Sequence, residues 1–528
     1  MSEAELLIAG LLVAVAGLSA LARHVGIPYP IVLVVGGALL GFIPGLPGVE
    51  LNPEVVLVVF LPPLLHSSAI FADFGFLRAN LRGMTLSAVG LVLVTMCAVA
   101  WAAHALVSGM SWEAAFVLGA IVSPTDPLAG AMILRRLEAP RRIVSAVEGE
   151  GLFNDATALV AYRVAVTAVV AGSFSLADAT LDFVLAAAGG VAIGLVVGWA
   201  VAEIRQRTTD AQVSITISLL TGYAAFVPAD ALGASGVLAT VTAGIYMGVR
   251  GPRVLPARIR LQGFFVWDIL DFLVNATLFV LIGLQLRMVV DALHGYSAGE
   301  LAGYALAVSV VVVATRLVWL FTVPYLIRAL DRRPSQVARR TRASARVVVG
   351  WSGMRGAVSL AVALAIPLET DAGAGFPQRD LIIFLTFAVI FFTLVVQGLS
   401  LPALIHRLGI SDGGEDANEE LRARLVATKA AIDQIDALGA EEWTRDETVE
   451  RMRAFYQYRK RRLAVQAGKI DDEDGIEDRS LAYQQMVQIV LSAQREALIQ
   501  LRADGDLSNE AMNRILRELD LEESRLEI

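Results

Sequence analysis

The sequence predicts an all-α polytopic membrane protein: about thirteen transmembrane helices in two inverted repeats with interrupted helices, followed by a cytoplasmic helical C-terminal domain. Three observations carry that prediction. Of 528 residues, 56% are hydrophobic and 18% charged, and the mean hydropathy is +0.64, whereas soluble domains run at about 45–50% apolar and about 25% charged. Thirteen stretches are apolar over the ~20 residues that a helix needs to cross ~30 Å of hydrocarbon. The two most disturbed stretches, the fifth and the twelfth, lie seven helices apart, which is the spacing of matching positions in two six-helix halves joined by a seventh helix.

In order, the stretches cover approximately residues 4–22, 28–45, 52–71, 83–107, 112–134, 141–172, 176–202, 212–229, 234–249, 263–287, 300–327, 345–368 and 380–405. The first opens on Glu3 and Glu5 rather than on a basic segment and lacks a small-residue cleavage site, so it reads as a retained helix and not a signal peptide. The fifth contains Ser123-Pro124-Thr125-Asp126-Pro127, and two prolines so close cannot both sit inside one helix. The ninth is short. The twelfth carries Gly350, Gly353 and Gly356 around Arg355.

Arginines set the orientation, because cytoplasmic loops carry the excess of basic residues. Arg23, Arg78, Arg82, Arg135, Arg136, Arg141, Arg142, Arg205, Arg207, Arg250, Arg253, Arg258, Arg260 and a run from Arg328 to Arg346 fall on one alternate set of loops; the other set holds only Arg287 and Arg379. The expected topology therefore has the N-terminus outside and the C-terminus in the cytoplasm.

Residues 1–410 hold 26 Arg, no Lys and 24 Asp and Glu, whereas residues 411–528 hold 17 Lys and Arg against 27 acids, so the net charge of −8 belongs to the tail. We expect a transmembrane domain over 1–408 and an acidic helical tail over 411–528, joined at the linker Ser411-Asp412-Gly413-Gly414. In the tail, Thr444 with Glu447 reads as a capping box, and Leu481, Ile489, Leu491, Ile499 and Leu501 supply apolar faces. The acidic run Asp471 to Gly475 fails as a calcium loop: with Gly475 sixth, the first and twelfth positions are Ile470 and Leu481, neither an oxygen ligand. Nucleic acid is not an expected partner, because the one water-exposed domain is acidic. A single cysteine, Cys97, excludes a disulfide framework, and no CxxC or Cys/His cluster offers a zinc site, so no cofactor is expected.

Ionisable groups inside a span are expensive and default to a paired or functional role. Here they are Asp126, Glu148, Glu150, Asp155, Arg163, Asp268, Asp271, Arg316 and Arg355. Asp155 lies thirteen residues past Arg142, about 20 Å along a helix and near the bilayer centre. Glu148 falls on nearly the same face about two turns closer to the cytoplasm, and Glu150 points roughly 140° away from Asp155. A carboxylate in a hydrated cavity holds either a monovalent cation or a proton, and competition for it couples the two fluxes. Asp155 is thus the candidate binding group for a transported ion, with Asn154, Thr125 and the unwound chain beside it as further oxygens. Asp126 fits a half-helix cap or a ligand. Glu150 suits a structural ion pair, with Arg355 as first choice, and Glu148 a cation-attracting cytoplasmic funnel or a salt bridge. Asp268, Asp271 and Asn275 read as funnel or structural residues, Arg316 as locally paired, and His66 and His104 as packing or hydrogen-bonding residues.

Together, Pro62-Pro63-Leu64-Leu65, Ser123-Pro124-Thr125-Asp126-Pro127, Glu148-Gly149-Glu150-Gly151-Leu152-Phe153-Asn154-Asp155 and Gly353-Met354-Arg355-Gly356-Ala357 resemble the signature set of the cation:proton antiporter-1 family, the sodium/proton exchangers. The resemblance covers residues 1–408, and the tail, ending in Leu519-Asp520-Leu521-Glu522-Glu523, resembles one bacterial branch. It implies exchange of Na⁺ for H⁺ across the plasma (inner) membrane by a homodimer, with a dimerisation domain and a core that moves elevator fashion. It also implies an ion on Asp155 near Asn154, Thr125 and Asp126, a Glu150–Arg355 pair, and, from the Asn-Asp motif, electroneutral exchange. Two departures stand out: His66-Ser67-Ser68 where some members have an acid, and Gly151 where some have serine.

Potassium/proton exchange is the near alternative. A channel would need a continuous hydrated pore. Gly350-Trp351-Ser352-Gly353 matches the GxSG of rhomboid intramembrane proteases, but such an enzyme needs a base histidine at membrane depth, and His406 sits at a cytoplasmic boundary. We therefore expect a transporter and not an enzyme.

Overall fold

The computed structural model describes residues 3–44, 56–172, 175–293, 295–330, 342–472, 475–504 and 506–524. They divide into two compact units, Met1–Asp412 and Gly413–Ile528.

In the first unit the described elements are helical, apart from a lone bridge between Glu369 and Gly375. Helices α1 (Glu3–Val25) and α2 (Tyr29–Gly41) precede a π-helical turn (Val56–Phe60) that runs into α3 (Leu61–Ile70). Pro62 and Pro63 withhold two amide donors in the first turn of α3, and the chain ahead of them widens to the looser π hydrogen-bond pattern. Next come α4 (Phe74–Thr85), a second π turn (Leu86–Leu91) and α5 (Val92–Leu106). The fifth expected stretch is broken into α6 (Trp112–Val122) and α7 (Pro127–Arg136). The long helices α8 (Arg141–Ala171), α9 (Leu176–Arg207), α10 (Ala211–Ala231), α11 (Gly236–Val254), α12 (Ala257–Asp291) and α13 (Ala298–Leu330) follow. The twelfth stretch is broken into α14 (Ala343–Trp351) and α15 (Ala357–Leu364), and α16 (Arg379–Phe392), a π turn (Thr393–Gln397) and α17 (Gly398–Leu408) close the unit.

Among the described residues, eight helices are long and apolar enough to cross a membrane, with Ala9–Val25, Tyr29–Gly41 and Val56–Ile70 as shorter apolar helices. Residues 45 and 52–55 of the expected spans, and 331–341 of the arginine-rich loop, lie outside the described residues. The ninth stretch is longer than expected. The Ser235 hydroxyl accepts from the Leu238 amide at 3.2 Å to start α11, which then continues through Pro252.

Packing fixes the position of the first break. Val117, Leu118 and Ile121 of α6 are buried with Val99, Val312 and Ile382. Ala129, Ile133 and Leu134 of α7 belong to a second cluster with Leu33, Phe279 and Leu401. The break between the two half-helices is thus held from both sides. Elsewhere, α2 and α12 meet backbone to backbone: a Cβ on Gly283 would lie 2.5 Å from the amide nitrogen of Ala38.

The second unit consists of α18 (Glu415–Leu438), α19 (Asp446–Gln466), α20 (Ile476–Ala503) and α21 (Asn509–Ser524). Ile435, Leu463, Ile476, Leu491, Met512 and Leu519 are buried, whereas Leu481, Ile489, Ile499 and Leu501 are exposed. The expected capping box does not form. The Thr444 hydroxyl donates back to the carbonyls of Leu438 (2.9 Å) and Glu441 (2.8 Å), closing the turn after α18. Part of the acidic run, residues 473–474, lies outside the described residues; Asp472 accepts from the amides of Ile476 (2.6 Å) and Glu477 (3.1 Å) and so caps α20. Arg495 pairs with Asp520 at 2.7 Å and with Glu523, and these two carboxylates hold its guanidinium above the usual arginine range.

Candidate functional site

The two interrupted helices touch at their breaks. The Asp126 amide donates to the Met354 carbonyl at 2.8 Å. The Asp126 carboxylate accepts from the Leu128 amide at 2.9 Å, which caps α7, and Pro127 at the first helical position has no amide to satisfy. Gly356 makes this approach possible, because a Cβ there would collide with the Asp126 carboxylate.

An arginine closes the carbonyl end of each upstream half-helix. Arg355 donates through Nε to the Val122 carbonyl at 3.0 Å, and through its other nitrogens to the carbonyls of Ser123 and Gly353. Arg316, reaching over from α13, does the same for α14, donating to Gly350 O at 3.2 Å and Val349 O at 3.1 Å. A cation there satisfies carbonyls that have no intrahelical partner and complements the helix dipole.

Arg316 also forms the buried ion pair with Glu150. This corrects two expectations, the Glu150–Arg355 pair and a local partner for Arg316. The guanidinium of Arg355 is taken up by backbone carbonyls, while Arg316 arrives from 166 residues away in sequence, a contact that helical spacing does not encode.

Next to this pair lie Thr125, Asn154 and Asp155. The Thr125 hydroxyl donates to Glu150 at 3.3 Å, and the Asn154 amide donates to the hydroxyl (2.8 Å) and carbonyl (3.2 Å) of Thr125. That leaves the Asn154 Oδ1 buried without a hydrogen-bond partner. Asp155 is 7% exposed, and its carboxylate makes no hydrogen bond or ion pair among the described residues. It lines a cavity of about 50 Å³ together with Asp126, Gly151 and Gly356, Ser68 of α3 and Asn275 of α12. Gly151 is also a packing requirement: a Cβ there would lie 2.5 Å from the Pro127 ring.

The remaining groups stand apart from this cavity. Glu148 pairs with Arg135 at 2.6 Å at a partly exposed position. Arg163 pairs with Asp230 at 2.6 Å. His66 is fully buried beside Trp267, with ring centroids 5.7 Å apart, and His104 stacks on Trp112 at 4.2 Å while bonding the Met110 carbonyl at 2.7 Å. The Ser352 hydroxyl donates to the Val349 carbonyl at 3.1 Å. Sequence reasoning missed the role of Arg316 and a bond between Ser67 and Asp271; a charge inside an apolar span and a bare helix C-terminus were the signals for the first.

Comparison with known proteins gives the same direction. A family profile described as "Sodium/hydrogen exchanger, transmembrane" matches residues 10–407. An uncharacterized Na⁺/H⁺ exchanger of Mycobacterium tuberculosis is 38% identical over 502 residues, covering 94% of this chain and 91% of that one. The sodium, potassium, lithium and rubidium/H⁺ antiporter of Bacillus subtilis is 32% identical over 413 residues (76% of this chain, 61% of that one), and the Na⁺/H⁺ antiporter ApNhaP of Aphanothece halophytica is 31% identical over 412 residues (78% and 74%). The fold is similar to that of the sodium proton antiporter MjNhaP1 of Methanocaldococcus jannaschii, with a TM-score of 0.57 at 17% identity over 77% of this chain and 99% of that one. The chain belongs to the transmembrane sodium/hydrogen exchanger family, and it is a transporter and not an enzyme.

Proposed function

We propose that the chain exchanges Na⁺ for H⁺ one for one across the plasma membrane, with Asp155 binding the two in turn and Asn154, Thr125 and Asp126 completing the oxygen set around the cation. The observation that carries this reading is the open Asp155 carboxylate beside an unpartnered Asn154 Oδ1, at a cavity bounded by both helix breaks. A hard monovalent cation takes oxygen ligands, and these are the oxygens left uncommitted there. With Na⁺ or a proton on it, Asp155 is neutral and its passage across the membrane is cheap; empty, it is a bare charge whose desolvation opposes the crossing. That asymmetry couples the two fluxes without any cofactor.

In this reading the segments around the breaks form a core that moves elevator fashion against a dimerisation domain, the protein is a homodimer with its N-terminus outside, and the tail regulates exchange from the cytoplasm. Glu148 draws cations to the inner mouth even as it pairs with Arg135. Potassium is a second cargo to consider, favoured by the similarity to the Bacillus subtilis antiporter named for four alkali cations.

Dequenching of a pH dye in everted vesicles, with Na⁺, Li⁺ and K⁺ added in turn, tests the proposal. The wild-type chain should move protons on cation addition and Asp155→Asn should not. A normal cation response from Asp155→Asn would remove Asp155 from the mechanism, and a current tracking turnover would rule out one-for-one exchange.

A further inference from the structure

We propose that Asp271, held by Ser67 next to the α3 and α12 residues that line the Asp155 cavity, is a second cation-holding group, which receives the cation from the arginine-rich side before Asp155 takes it. The inference rests on the reading of Asp155 as the carrier and deepens it.

The Ser67 hydroxyl donates to the Asp271 carboxylate, lying 2.7 and 2.8 Å from its two oxygens. A carboxylate offers about four acceptor positions and one hydroxyl proton occupies one of them, so most of the group stays open. Among the described residues no Arg, Lys or His pairs with it. A half-buried carboxylate without a cation on a membrane helix is costly, and a visiting cation supplies the missing charge.

Position makes the group useful. Asn275, one turn further along α12, is 5% exposed and lines the cavity with Asp155, and its amide donates to the Asp271 carbonyl at 2.8 Å. Ser68, next to Ser67, lines the same cavity. Asp271 is thus one helical turn along α12 from cavity-lining Asn275, and its partner Ser67 is next to cavity-lining Ser68 on α3. Among the described residues the acids that line the cavity are Asp126 and Asp155, and Asp271 stands just outside it. Along α12, Asp268 is exposed, Asp271 half-buried and Asn275 buried, so negative and polar groups lead inward in steps. A carboxylate at the middle step concentrates cations and replaces part of their hydration before they reach the buried site.

The test is the cation-concentration dependence of proton movement in everted vesicles, with Na⁺ as the probe. Asp271→Asn should raise the half-saturating Na⁺ concentration about threefold or more, and by a larger factor than it lowers the maximal rate. Ser67→Ala should shift it the same way by less, and Asp271→Glu should restore most of it. An unchanged half-saturating concentration, or a fall confined to the maximal rate, overturns the proposal. Should Asp271→Asn fail to fold, the shift in Ser67→Ala decides the matter by itself. Asp155→Asn in parallel separates the two readings: silent Asp155→Asn with wild-type half-saturation in Asp271→Asn sinks only the second group, whereas active Asp155→Asn sinks the carrier itself.

Discussion

The amide of Asp126 donates to the carbonyl of Met354 at 2.8 Å, so the two interrupted helices are joined by a backbone bond at the point where each is unwound. Gly356 leaves room for the Asp126 carboxylate beside that bond. Gly356→Ala should pry the crossing apart and cut cation-driven proton movement about tenfold or more, because a displacement near 1 Å at a reacting site can cost about a hundredfold. Initial rates in proteoliposomes check this, with chromatography confirming that the protein is folded. Wild-type rates would show that the crossing tolerates a methyl group.

The Glu150–Arg316 pair is buried on both sides, with side chains 8% and 1% exposed. Arg316→Gln strands the carboxylate and takes the donor from the Gly350 carbonyl of α14, and should lower stability by about 3–5 kcal/mol. Thermal unfolding in detergent should show a clear drop, and adding Glu150→Gln should recover part of it. An Arg316→Gln protein that melts with the wild type would contradict the assigned role.

Gly151→Ser brings a hydroxyl to the cavity lining, but its Cβ would press on the Pro127 ring from 2.5 Å. The overpacking should cost about 1–3 kcal/mol and weaken exchange. Pro127→Ala in the same chain removes the outer ring atoms and should relieve part of the loss. Gain of exchange in the single variant would mean that α7 yields and the serine oxygen is useful.

For the tail, removal of residues 411–528 should shift the pH dependence of exchange or the stability of the proposed dimer while leaving exchange intact. Vesicle assays across a pH series, with a size measurement in detergent, are the check. Complete loss of transport in a well-folded truncation would make the tail part of the transport machinery.

Much of this was readable from the chain because the causes are local. Two prolines flanking Thr125 and Asp126 announce a break, glycines around Arg355 announce another, and a 100° step per residue puts Glu150 and Asp155 on different faces of α8. Contacts between distant segments were not readable. Nothing in the spacing ties Arg316 to Glu150, or Ser67 to Asp271, and both depend on how whole helices pack. The Gly151 departure was visible as an oddity, and only the nearness of the Pro127 ring explains it. Thr444 had the right neighbour for a cap but spends its hydroxyl on the preceding turn.

The first 410 residues contain no lysine, and the chain's first, Lys429, is exposed on α18, followed by exposed Lys460 and Lys469. Apart from the N-terminal amine, every primary amine therefore lies in the second unit. Lysine-directed dyes, cross-linkers and proteases act on that unit, with the N-terminal amine the one other primary amine for the dyes and cross-linkers. A fluorophore on a lysine reports on the tail, and cleavage at Lys429 cuts the chain inside α18 and leaves the first unit's backbone whole.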